Sequence, residues 1–231
     1  MAMNLDRVVP FGRSFDEYVK MFALSEADLQ GSILSVADGP ASFNAEGTKR
    51  GCRIHSVDPL YCFDADEIRD RFYAVLDDII YQVASTPSDW VWSYHQSPDD
   101  LRANRVQVTE RFYRDYELGK QDGRYAVGEL PRLTYDAGSF DLGLCSHFLF
   151  LYSAQIDLAF HIAAIEEMLR VCKEVRVFPL LNLQLEKSPH LDKTIAQLQR
   201  QYQCDIQKVA YQLQRGGGEI SGNEMLRVRK I

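Results

Sequence analysis

Two residues set the first chemical reading. Gly39 follows a short β-like run, Ile33 to Ala37, in ILSVADGPASFN, and Asp58 closes a second run, CRIHSVDP, 19 positions further on. A glycine at a strand-to-helix turn lets the backbone approach a ligand closely, and a carboxylate about 20 residues later is placed to accept both hydroxyls of a ribose. That is chemistry for a nucleoside cofactor. Asp before Pro59 is also a common turn pairing, which is the competing reading of Asp58. Asp38, beside the glycine, reads either as a charge facing the ligand or as a solvated turn residue. Ser146 and His147 end FDLGLCSHFLFL, an apolar run that reads as a central strand, and ligands of open α/β sheets bind at that end. An imidazole there is the best-placed general base, since it titrates near neutrality when unperturbed. A histidine that only packs or bonds backbone is the alternative. Tyr152 and His161 fall in or beside the next helix and are weaker candidates.

Other chemistries lack their residues. The five cysteines, Cys52, Cys62, Cys145, Cys172 and Cys204, are scattered without a C-x-x-C pair, so neither a metal site nor a disulfide framework is expected. Gly216-Gly217-Gly218 has no Gly-Lys-Ser/Thr sequel and reads as a flexible turn, and no G-x-S-x-G elbow or H-E-x-x-H pair occurs. With 26 basic and 33 acidic side chains the formal charge is -7, so nucleic acid and acidic membrane surfaces are not expected partners. The first residues lack the pattern of a signal peptide. The longest apolar stretch, Phe140 to Tyr152, contains Asp141 and His147 and falls short of a membrane span. A reducing, cytoplasmic location is the expectation.

The elements that must position these residues follow from periodicity and turn signals. Ser14 and Glu17 make a capping box ahead of Phe15, Val19 and Phe22, predicting a leading helix. The runs ending at Ala37 and Asp58, joined by a Gly-Pro turn and a small helix, form a βαβ unit, hence a parallel sheet. Asp64 and Glu67 open a helix with Ile68, Phe72, Leu76, Ile79 and Val83 on one stripe. Residues 84 to 97 read as a loop holding both tryptophans, Trp90 and Trp92; Ser97-Pro98 then starts a helix with Leu101, Val108, Phe112 and Tyr116. RYAVGEL reads as a third strand, FDLGLCSHFLFL as the fourth and EVRVFPLL as the fifth, with a helix bearing Leu158, Ile162, Ile165 and Leu169 before the last. Ser188-Pro189 cap a final helix through Leu191, Ile195, Leu198 and Tyr202. Two β-like runs, Asp205 to Gln214 and Met225 to Lys230, close as an antiparallel pair.

This order resembles the class I S-adenosylmethionine-dependent methyltransferases, whose mostly parallel sheet ends in an antiparallel strand pair. The residues sharpen the resemblance. Ile33-Leu34-Ser35-Val36-Ala37-Asp38-Gly39-Pro40-Ala41 is similar to the family's V-L-D-L-G-x-G-x-G turn, with Ala37 and Ala41 in glycine positions and Ser35 where an acidic residue often stands near the methionine amino group. Gly128-Glu129-Leu130-Pro131 followed by Phe140-Asp141-Leu142 is similar to its acidic-Leu-Pro turn and F-D strand. The resemblance implies a Rossmann-like α/β open sheet, mostly parallel, with an antiparallel C-terminal pair and helices on both faces. It covers one domain, 1-231, except a helical insertion at about 84-118, which is long enough to cover the pocket with its tryptophans. It implies S-adenosylmethionine as cofactor, held by Ala37, Asp38, Gly39, Asp58, Pro59, Glu129, Leu130 and Ser146, and methyl transfer to a small molecule with His147 as the candidate base. A cofactor-binding domain without activity and, further off, a nicotinamide-dependent oxidoreductase are the alternatives, the latter lacking G-x-G-x-x-G. The oligomeric state is not written in the sequence.

Overall fold

A computed structural model describes residues 3–5, 7–218 and 220–231. The apolar runs become strands β1 (Ser32–Val36), β2 (Arg53–Val57), β3 (Tyr125–Ala126), β4 (Phe140–Ser146), β5 (Cys172–Phe178) and β6 (Tyr202–Lys208), then a short hairpin β7 (Gly216–Gly217) and β8 (Ile220–Ser221), and β9 (Glu224–Lys230). The main sheet has the order β3-β2-β1-β4-β5-β9-β6. β1 pairs in parallel with β2 and β4, and β5 in parallel with β4, whereas β9 runs antiparallel to both β5 and β6. The Rossmann-like open sheet with an antiparallel C-terminal pair is therefore the fold.

Helices α1 (Phe15–Met21), α2 (Glu26–Gln30), α3 (Phe43–Thr48), α4 (Ala65–Ser85), α5 (Pro98–Gln121), α6 (Leu158–Val171) and α7 (Leu191–Leu198) cover it. Alternation along β1 shows both faces at work. Ile33 packs with Phe15, Tyr18 and Phe43 of α1 and α3, while Leu34 and Val36 join Ile165, Met168 and Leu191 of α6 and α7. The capping boxes read from Ser14–Glu17 and Asp64–Glu67 are present at α1 and α4. No described helix is long and apolar enough to cross a membrane.

Several boundaries differ from the expectation: β4 ends at Ser146 and gives way to a 3-10 turn at Phe150–Tyr152, β5 runs from Cys172 to Phe178, and α7 starts behind His190 without a side-chain cap from Ser188. β3 has two residues, not the seven of RYAVGEL: only Arg124 and Ala126 offer carbonyls to β2, at 2.8 and 3.3 Å, before the chain turns away. β6 begins and ends earlier than Asp205 to Gln214, because the full length of β9 pairs with 202–208 and the following residues leave to meet Trp90 and Glu17. Tyr202 fits the helical spacing of α7 but pairs with Lys230 in the sheet instead.

The segment expected to cover the pocket is built as packing. α5 lies along α4 and α3, burying Leu101, Val108, Phe112 and Tyr116. It also delivers Arg105, 1% exposed, to Glu17 of α1, which is fully enclosed: the guanidinium donates to Oε1 at 2.6 Å and Oε2 at 2.8 Å. Tyr211 donates to the same carboxylate at 3.1 Å, His95 Nε2 lies 3.2 Å away, and Arg105 also donates to the Gly12 carbonyl at 3.1 Å. Opposed to burial, this cation holds the Glu17 carboxyl well below its usual range. Replacing Arg105 by Leu would strand that carboxylate, so the variant is expected to lose about 3–5 kcal/mol of stability in urea denaturation. A loss under about 1 kcal/mol would show that the pair does not hold α5 in place.

Candidate active site

The turn after β1 keeps the conformation that glycines would give it. Ala37 and Gly39 both have left-handed backbones, φ 55 and 53, and the Ala37 N–H donates to the Val57 carbonyl at 2.9 Å. Between them Asp38 is neither solvated nor free. Its carboxylate accepts from Ser35 Oγ and Ser56 Oγ, each at 2.6 Å, and from the Tyr18 hydroxyl. Burial pushes the carboxyl up, and the three hydroxyls pull against it. The Asp38 carboxyl thus leans on Ser35, the position where the resemblance expects an acid.

Asp58 ends β2 and faces the same space. One oxygen accepts from the Gly39 N–H at 2.8 Å and the other from the Leu60 N–H at 2.7 Å, which caps a 3-10 turn over Pro59–Cys62. Enclosure pushes its carboxyl up to about 6 against those two donors, with Asp38 adding to the rise. Tyr61 donates to the Gly39 carbonyl at 2.9 Å and fixes the turn from below.

Ala37, Asp38, Gly39, Asp58, Pro59 and Ser146 line one cavity of about 390 Å³ at the C-terminal ends of β1, β2 and β4. His147 joins them. It has a left-handed backbone, φ 52, tied by its N–H to the Phe178 carbonyl at 2.6 Å, and its Nδ1 lies 2.9 Å from Ser146 Oγ. Burial first, then the Arg13 and Arg105 charges, hold the imidazole well below its ordinary range, so it is neutral at pH 7. Glu129 and Leu130 are not brought to this cavity. Glu129 is exposed and bridges to Arg132, while Leu130 is buried in the apolar core. His161 is structural, its ring nitrogens 2.7 Å and 3.1 Å from the Asp157 and Leu149 carbonyls.

No family model matches the sequence. The uncharacterized protein MJ0045 of Methanocaldococcus jannaschii is 34% identical over 219 residues, which span 94% of this chain and 96% of that one. The chain belongs to the same family as MJ0045. Among solved structures, it is similar to magnesium protoporphyrin IX methyltransferase (ChlM) from Synechocystis PCC 6803 with bound SAM, at TM-score 0.46 and 10% identity over 94% of this chain and 78% of that one. It is likewise similar to N-methyltransferase NodS from Bradyrhizobium japonicum in complex with S-adenosyl-l-homocysteine, at TM-score 0.46 and 12% identity over 93% and 86%. A SAM-dependent methyltransferase from Thermotoga maritima gives 0.44 and 10% over 93% and 86%.

In this MJ0045-family chain the roof of the cavity is the segment ahead of α1. Val8, Val9, Pro10, Phe11 and Arg13 close it, not the tryptophan loop. The strap is pinned by a hydrogen bond from the Val9 N–H to the Tyr152 hydroxyl at 3.2 Å, from the Met3 N–H to the Leu183 carbonyl at 3.0 Å and by Arg105 on Gly12. Neither tryptophan lines the 390 Å³ cavity. Trp90 is buried, paired with Gln214 and bonded through Nε1 to Thr86 Oγ1 at 3.0 Å. The aromatics of that loop dock the extra helix, as apolar side chains do when a burying surface is at hand. Residues unanticipated from sequence are Tyr18, which donates to Asp38, and Arg13, which precedes the capping box without being part of it.

Ala37 tests the turn directly. An alanine held left-handed costs about 1–2 kcal/mol, partly offset by the greater freedom glycine loses on folding. Ala37→Gly is therefore expected to raise the unfolding free energy by about 0.5–1 kcal/mol in urea titration. Equal or lower stability would mean that the turn relaxes without a glycine.

Proposed function

We propose that this chain is an S-adenosylmethionine-dependent methyltransferase acting on a small molecule. The observation that carries the reading is Asp58: a carboxylate at the end of β2, beside a left-handed turn, on a cavity large enough for a nucleoside. A carboxylate offers about four acceptor positions, and the two backbone donors use only two. The remaining pair fits the two hydroxyls of a ribose. Asp38, anchored by Ser35, Ser56 and Tyr18, supplies a fixed negative charge for the ammonium of the methionine portion, replacing the acid that position 35 lacks. Gly39 and Ala37 let the backbone close on the ligand, and Pro59 and Ser146 shape the walls.

The cofactor, when bound, supplies a methyl group on positively charged sulfur. The chain's part is to orient, to exclude water and to receive any proton the acceptor sheds. His147 is the group for the last role. It borders the cavity and is neutral at pH 7, the form able to take up a proton, while burial makes it a weaker base than a free imidazole.

Asp58→Ala is expected to weaken S-adenosylhomocysteine binding by about 1.5–3 kcal/mol in calorimetry. In the unaltered protein the affinity falls as pH drops through about 6, because the protonated carboxyl offers fewer acceptors. The sign for stability is opposite. A folded value of about 6 above the ordinary 3.8 means that the empty protein loses this contribution as pH rises through about 6. If calorimetry shows no S-adenosylhomocysteine binding at any pH, the reading fails. His147→Ala is expected to lower turnover at least about tenfold with little change in cofactor affinity, the scale of general-base loss. Full turnover in that variant would assign His147 to the backbone tie with Phe178.

A further inference from the structure

Behind His147 lies a second, smaller cavity of about 70 Å³. Val9, Phe11, Ile79, Val83, Trp90 and Leu101 give it apolar walls. It shares Val9, Phe11, Arg13 and His147 with the larger cavity, so the two meet along that line of side chains. Its size decides what body it takes. A cavity of about 150 Å³ admits benzene, and about half that volume suits a short alkyl chain better than a ring.

The polar residues lining this bay are Arg13, His147, Tyr152 and Gln214, and none of them is an acid, while the larger cavity holds Asp38 and Asp58. Arg13 stands at the junction with its Nε buried and without a partner, and one terminal nitrogen donates to the Phe11 carbonyl. Among the described residues it forms no ion pair, since Glu17 is engaged by Arg105, and its guanidinium lies 5.9 Å from the Phe11 ring centre. Burial and the neighbouring Arg105 charge push it down to about 10, the mark of a cation held where solvent does not repay it. Gln214 adds a second waiting group. It is 8% exposed, lines the bay, and its side-chain amide makes no hydrogen bond to a described residue, although its backbone pairs with Trp90.

We propose that the bay binds a small carboxylic acid with a short alkyl body, its carboxylate on Arg13 and Gln214 and its chain against Trp90 and Leu101. Calling this molecule the methyl acceptor rests on the methyltransferase reading; the binding site does not. A carboxylate accepts from the terminal guanidinium nitrogen of Arg13 that makes no hydrogen bond to a described residue, balances that cation and accepts from the Gln214 amide N–H. An amine would meet a guanidinium with nothing to balance it, and a plain alcohol would leave the cation unpaired.

The test uses butyrate, butylamine and butanol as probes on the full chain carrying Trp92→Phe, which leaves Trp90 as the sole tryptophan. Each probe is titrated with and without S-adenosylhomocysteine. Butyrate is expected to change the Trp90 emission saturably in both conditions, with the other two at least about tenfold weaker, the worth of a charge-assisted hydrogen bond. Arg13→Gln and, independently, Gln214→Leu are expected to weaken butyrate by about tenfold or more. No saturable response to butyrate, or equal responses to all three probes, overturns the proposal. So does an Arg13→Gln variant that binds butyrate normally but loses tenfold or more in S-adenosylhomocysteine affinity, which would give Arg13 to the cofactor. Butyrate binding without any S-adenosylhomocysteine binding keeps this site and removes the cofactor reading, whereas the reverse keeps the cofactor and removes the site.

Discussion

The Glu17–Arg105 pair is the constraint on which the rest of the site depends. Both side chains are taken out of water, and such a pair contributes little net stability compared with apolar residues of the same volume. Its effect is positional. Glu17 belongs to the capping box of α1, Arg105 sits in α5, Tyr211 follows β6, and the Gly12 carbonyl is part of the strap. The pair therefore ties α1 and the adjoining strap to α5 and to the segment after β6, which are far apart in the chain. Because the strap is also the roof of the large cavity, the shape of that cavity is set by a charge pair that does not line it.

A second consequence concerns charge at the site itself. Asp38 is enclosed and held by three hydroxyls, Asp58 lines the cavity and is bonded only to backbone, and Arg13 lines it too, with no ion pair among the described residues. The empty site thus carries costs that a ligand of complementary charge offsets. Sites that bind charged molecules are commonly built this way, with groups oriented before the ligand arrives.

Much of the fold was legible because β1, β2, β4 and β5 are apolar runs bounded by turn residues, and α1 and α4 announce themselves with capping boxes. The edges were not. β3 is two residues long, and β6 is defined by its partner β9 rather than by its own pattern. At the site, Gly39 and Asp58 were readable from spacing, since strand ends and turns are local features. Asp38 was not, because Tyr18, Ser35 and Ser56 reach it from three different elements. The strap was invisible for a similar reason: Val8 to Arg13 has no periodicity, and only tertiary contacts make it a roof. Glu129 and Leu130 matched a motif in sequence yet lie outside the cavity lining, exposed and core-buried respectively.

The placement of β9 between β5 and β6 bears on how the sheet is assembled during synthesis. β6 has no other neighbour in the sheet, so it leaves the ribosome before the strand that will hold it. Until β9 follows, its hydrogen-bonding groups have only water, and one edge of the nascent sheet stays open at β5. The loop between β6 and β9 also carries Tyr211 to Glu17, so the strand that closes the sheet and a hydroxyl that serves the buried carboxylate come from the same stretch of chain.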